Sequence, residues 1–166
     1  MKSTSYVKWL EEASCNLGVK EIPGPLHNEK ISMWLHKLNA WWIDDETPWC
    51  GVFVAHCIQS AGWLALPKYW MRAKAWAEWG VPLKTPSYGC IVVFNRKGGG
   101  HVGFVVGKKD NGNLFVLGGN QNNEVNIKEF NTENVIAYRL PYGRVPVYPL
   151  PVLSNNETIK TDVSLV

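Results

Sequence analysis

The chain reads as an α+β domain, with N-terminal helices packed on a C-terminal antiparallel β-sheet of about five strands. Up to Gly80, apolar residues recur at helical spacing; after Pro86 they fall in short β-branched and aromatic runs separated by Gly, Asn and Lys. The third observation is Asp110-Asn111-Gly112-Asn113, a hairpin turn between two of these runs. Helices followed by hairpin-linked strands make an α+β architecture rather than a parallel α/β one.

The first predicted helix, Tyr6 to Leu17, carries Val7, Leu10, Ala13 and Leu17, and Gly18 ends it. Glu21-Ile22-Pro23-Gly24-Pro25 is a loop. A second helix over about Glu29 to Leu38 places Ile31, Trp34, Leu35 and Leu38 on one side, and an acidic loop follows. The third runs from the Cys50 turn to Ala61 and stops at Gly62, with Thr47 as N-cap and Pro48 as its first residue. A tryptophan-rich segment, Met71 to Trp79, stops at Gly80. The predicted strands are Cys90 to Phe94, Val102 to Val106, Leu114 to Leu117, Val125 to Phe130 and Val135 to Leu140, following one another as a meander. From Pro141 the chain is proline-rich and then polar, so residues 1–148 are expected to form one catalytic domain and 149–166 an extended or mobile tail.

A chain of 166 residues is long enough for one real core and too short for two comfortable ones. The net charge of +3 comes from scattered Lys and Arg, which excludes the basic stripe of a nucleic-acid binder. No apolar run reaches the length of a membrane span, and Met1 to Ser5 leads into an amphipathic stretch with no apolar signal core. The expectation is a cytoplasmically made protein without a signal peptide, a monomer that neither binds nucleic acid nor inserts into membranes. Cys15, Cys50, Cys57 and Cys90 occur singly, so neither a zinc ligand set nor a disulfide framework is predicted, and no metal or other cofactor is expected. Of the nine tryptophans, Trp41, Trp42 and Trp49 adjoin Cys50, where they either line a groove or pack helices together.

Cys50 is the candidate nucleophile. At a helix start the orphan backbone N–H groups and the positive end of the macrodipole favour a thiolate, which predicts a lowered pKa. The opposing reading is a core cysteine, since Cys50, Phe53, Val54, Cys57, Ile58 and Ala61 share one helical stripe. His101 opens a strand after Lys97-Gly98-Gly99-Gly100, with His101, Gly103 and Val105 on one face. If the Cys50 helix packs on that face, Gly103 leaves room beside the imidazole for a substrate backbone. A Cys-His pair also needs an acceptor that orients the ring. Asn120, in Leu117-Gly118-Gly119-Asn120-Gln121, is the candidate and Gln121 the reserve; equally, Asn120 is a turn asparagine tolerating positive φ.

Four segments, Pro48-Trp49-Cys50-Gly51-Val52-Phe53-Val54, Gly89-Cys90-Ile91-Val92-Val93-Phe94, Gly100-His101-Val102-Gly103-Phe104-Val105 and Leu117-Gly118-Gly119-Asn120-Gln121, occur in an order that resembles the CHAP amidohydrolase/peptidase group. That group belongs with the NlpC-like, papain-related wall hydrolases, and the chain is similar to its small phage-encoded members from about Leu17 to Pro141. The resemblance implies a papain-like fold, cleavage of amide bonds in the stem peptides of bacterial peptidoglycan, and roles of nucleophile for Cys50, base for His101 and orienter for Asn120. Cys90 stands where relatives typically carry an aspartate. Asp45, Glu46, Trp49, Glu21 and Gln121 are the candidate substrate-binding residues around this triad. The expected setting is a phage endolysin reaching the periplasmic wall after holin-type release. The alternatives are an interbacterial toxin of the same chemistry and a catalytically silent wall-binding module.

Overall fold

The computed structural model describes residues 7–45 and 47–153. Helices α1 (Lys8–Cys15), α2 (Glu29–Lys37) and α3 (Cys50–Ser60) and a 3-10 helix (Ala73–Glu78) precede six strands, β1 (Val81–Leu83), β2 (Ile91–Arg96), β3 (Gly99–Lys108), β4 (Leu114–Gln121), β5 (Glu124–Phe130) and β6 (Val135–Leu140). All ladders are antiparallel, in the order β1-β6-β2-β3-β4-β5. The predicted meander therefore holds from β2 to β5, while β6 crosses back to lie beside β2. The additional strand is β1, whose Val-Pro-Leu sequence carries no alternation; a proline is tolerated there because β1 is an edge strand.

Local chemistry explains most element ends. Asn28 caps α2, its Oδ1 accepting from the N–H of Lys30 at 2.8 Å and of Ile31 at 3.4 Å. Gly18, with φ +92°, turns the chain after α1 and donates its N–H to Val125 O on β5. The Met71 to Trp79 segment is a 3-10 helix over Ala73–Glu78, held by indole bonds from Trp76 to Trp70 O (3.0 Å) and from Trp79 to Ala65 O (2.8 Å). The run after Pro141 lies along the body as far as Leu153, which is buried and exchanges backbone bonds with Lys108 through Leu153 N–H and Pro151 O.

Helix α3 is the centre of the core. Every residue from Cys50 to Ile58 is buried, because α1 and α2 cover one side and β3 and β4 the other. Phe53 packs between Trp34 of α2 (ring centroids 5.5 Å apart) and Phe104 of β3 (6.4 Å). A fully buried side chain of this size contributes about 1.5–3 kcal/mol relative to leaving it exposed. At the helix start, a Cβ on Gly51 would sit 2.6 Å from Trp70 O and 2.7 Å from Met71 O. Backbone cannot yield as a side-chain tip can, so Gly51→Ala is expected to destabilise the fold by about 1–3 kcal/mol. Gly99→Ala, where a Cβ meets nothing within 4 Å, is the control. Thermal unfolding of the two variants checks this; equal melting temperatures would contradict it.

Candidate active site

Cys50 is the first helical residue of α3, two positions later than the predicted start. Thr47 is not the N-cap: its N–H and Oγ1 donate to Asp44 Oδ1 at 2.7 and 2.8 Å, and this local turn keeps Thr47 and Pro48 outside the helix. The Cys50 sulfur faces the backbone N–H groups of Val102, Gly51 and Cys50 itself, with the Arg96 charge nearby. Burial nevertheless dominates and raises the thiol pKa above its ordinary value, against the lowering predicted from helix position. The resting residue is a neutral thiol with donors already aimed at it.

His101 is 1% exposed and packs beside two rings, Phe94 of β2 (6.2 Å) and Phe130 of β5 (5.5 Å). Phe94 and Phe130 are themselves 4.9 Å apart although their strands are three places apart in the sheet, so the sheet curls around the imidazole. Nε2 of His101 lies 2.9 Å from Gln121 Oε1. The Gln121 amide nitrogen donates to Val116 O (3.1 Å), Asn126 O (2.9 Å) and Asn126 Oδ1 (2.8 Å), which turns its oxygen toward the ring. The ring proton therefore sits on Nε2 and Nδ1 keeps its lone pair. Burial pulls the imidazole pKa down to about 4; the Gln121 bond opposes this, and the Arg96 and Lys128 charges add to it.

The orienting partner is thus Gln121 and not Asn120. The β4–β5 register shifts between Gly118 and Gln121, and Asn120 takes φ +57°. That irregularity reverses side-chain alternation by one residue, so Gln121 turns inward where uninterrupted alternation would have aimed Asn120. Two glycines make the fit possible. A Cβ on Gly118 would collide with Gln121 Oε1, and one on Gly119 would lie 2.6 Å from Phe53 Cβ and 2.8 Å from the Trp49 ring.

The expected packing of the Cys50 helix on the His101 face is also corrected. Phe53 meets Phe104 and the Gly119 position, so α3 covers the opposite face of β3 and β4. Cys50 reaches the strand that carries His101 through an opening in the sheet. β3 pairs with β2 from Gly99, but with β4 only from Phe104 onward. Val105 N–H points to Cys90 O on the β2 side, so by alternation Val102 N–H points toward β4, where no ladder partner awaits it. Cys50 takes that place, one residue along from His101. Among the described residues no hydrogen bond joins Cys50 to His101.

The other predicted residues divide. Asp45 is fully buried and is not available to substrate: Oδ2 accepts from Ile22 and Asn28 N–H, both at 2.8 Å, and Oδ1 lies 3.3 Å from His27 Nδ1. Burial opposes its ionisation, but these donors outweigh it and hold the carboxyl below its ordinary value. Trp49 is a core residue, tilted against Trp34, and its Nε1–H donates to Glu21 Oε1 at 2.9 Å. Glu21 is half-buried and is used by that bond. Glu46 lies outside the described residues. Trp41 and Trp42 do line a groove, of about 390 Å³, with Thr47, Pro48, Tyr69, Met71 and Arg72. Asn126, which fixes the Gln121 amide, was missed; only the bulge brings it there. Among the described residues no three His, Cys, Asp or Glu side chains gather to hold a metal ion, and no helix is long and apolar enough to cross a membrane.

The imidazole gives the fold an acid sensitivity. Unfolded, a histidine takes its proton near pH 6.5, whereas His101 in the fold does so only near about 4. Between those values the unfolded chain binds more protons, so stability falls as pH falls, by about 3 kcal/mol in full. The melting temperature of the wild type is expected to drop more steeply from pH 6.5 to 4 than that of His101→Phe; equal slopes would contradict the assignment.

No curated protein and no solved structure matches the chain. A family model does match, that of the CHAP domain, over residues 42–120. The match holds Cys50 at the head of α3 and His101 on β3, and it stops one residue before Gln121. Residues 42–120 are thus similar to the CHAP domain family, whose members are generally cysteine- and histidine-dependent peptidoglycan hydrolases.

Proposed function

We propose that the chain hydrolyses an amide bond in the stem peptide of peptidoglycan, with Cys50 as nucleophile, His101 as base and Gln121 as the residue that orients the imidazole. The observation that carries this reading is the 2.9 Å bond between His101 Nε2 and Gln121 Oε1, which leaves the Nδ1 lone pair free to take a proton. Because both groups rest neutral, the pair acts by general-base catalysis and not as a standing ion pair. Nδ1 takes the thiol proton as sulfur attacks the substrate carbonyl, and the Cys50 N–H donates to the oxyanion. The imidazolium so formed is strongly acidic in its buried site, and it passes the proton to the leaving amine as the C–N bond breaks. Water, deprotonated by His101, then cleaves the thioester to release the acid and restore the thiol. The proposed setting is phage-driven host lysis.

Turbidity loss of outer-membrane-permeabilised cells tests the nucleophile. Cys50→Ala is expected to abolish lysis while still sedimenting with isolated walls; lysis at the wild-type rate would remove Cys50 from the mechanism. Gln121→Ala is expected to lower kcat about a hundredfold. Asn120→Gly, which keeps the positive φ, should cost far less. The reverse order of these two losses would return the orienting role to Asn120. Activity is expected to be the same with and without EDTA, and loss restored by calcium would count against a metal-free reaction.

A further inference from the structure

The groove beside α3 is not used by the chemistry above, and its walls have a definite character. One wall is Trp41, 88% exposed, standing edge-on to Trp42 with ring centroids 5.2 Å apart. Trp42 is more than nine-tenths buried, yet its Nε1–H has no hydrogen-bond partner. Stranding such a donor costs about 1–3 kcal/mol. The other wall carries Tyr69, 49% exposed, with the Arg72 guanidinium 5.1 Å from its ring centroid. The groove is anchored to the nucleophile from both sides. Thr47 and Pro48 line it and lead directly into Cys50, while the Met71 carbonyl abuts Gly51 in the first turn of α3.

Exposed rings and a guanidinium match a pyranose better than a peptide. The C–H face of a sugar stacks on the negative face of an aromatic ring, and its hydroxyl and acetamido oxygens accept hydrogen bonds. A peptide segment would need backbone partners, which a groove lined by side chains of this kind does not offer. We infer that this groove is a subsite for an N-acetylated amino sugar of the glycan strand, with Trp41 as stacking platform and the Arg72 guanidinium as donor to an acetamido oxygen. The inference rests on the reading of the chain as a peptidoglycan hydrolase and extends it: the domain that cuts the peptide also holds the sugar to which that peptide is attached.

The test uses the full chain carrying Cys50→Ala, titrated with an N-acetylglucosamine trimer and, separately, with a free stem tetrapeptide, while indole N–H resonances are followed by NMR. The trimer is expected to shift the Trp41 and Trp42 signals, with affinity weakened about tenfold or more by adding Trp41→Ala and kept on adding Leu64→Ala, at an exposed site elsewhere. Trp41 is exposed, so its loss should leave the melting temperature nearly unchanged. No response to the trimer would overturn the inference. So would the same indole shifts produced by the tetrapeptide and abolished by Trp41→Ala, since the groove would then hold peptide. Lysis by Cys50→Ala would instead overturn the proposed mechanism and leave the sugar result to stand by itself.

Discussion

Helix α3 reaches β3 and β4 only because glycine stands at two contact points. Gly51 lets the Trp70 and Met71 carbonyls close onto the first turn, and Gly119 lets Phe53 and Trp49 close onto β4. A single Cβ at either place would push the helix outward by a distance comparable to a bond length. Cys50 would then leave the gap where the Val102 N–H meets its sulfur. The burial of α3, and with it the position of Cys50, follows from these two approaches.

The second constraint is electrical. A curled sheet that sets phenylalanine rings beside His101, and a helix start that is buried under the loop before it, both penalise charge. The site therefore stores its proton on sulfur and keeps a neutral imidazole of fixed tautomer. Gln121 fits this environment better than a carboxylate would. A neutral amide accepts the Nε2 proton without adding a second buried charge, and its own nitrogen is satisfied by Val116 and Asn126. The cost of the arrangement appears at low pH, where the unfolded chain gains the protons that the fold refuses.

Tryptophans hold the irregular half of the molecule together. Trp9, Trp63, Trp76 and Trp79 each bury a ring against the core and send an indole N–H to a distant backbone carbonyl, at Gly89, Tyr142, Trp70 and Ala65. Such pairs of apolar and polar contact order loops that have no ladder of their own. Trp42 breaks the pattern, and among the described residues Trp41 is the one large aromatic left almost wholly in solvent; both stand at the groove beside the start of α3.

Period and turn chemistry alone were enough to read the α+β class, the succession of helices and then strands and the Asn111-Gly112 hairpin, because these depend on residues near one another in the chain. The identity of the orienting residue was not legible in that way. Asn120 and Gln121 are adjacent amides, and which one turns inward depends on a β-bulge that exists only when β4 pairs with β5. Asp45 read as a free carboxylate until Ile22, Asn28 and His27 folded around it, and Trp49 read as a groove residue until Glu21 and Trp34 enclosed it. The thiol pKa reversed for the same reason. Local sequence sets which donors sit at a helix start, but desolvation is decided by everything that packs over it, and that is a property of the tertiary structure.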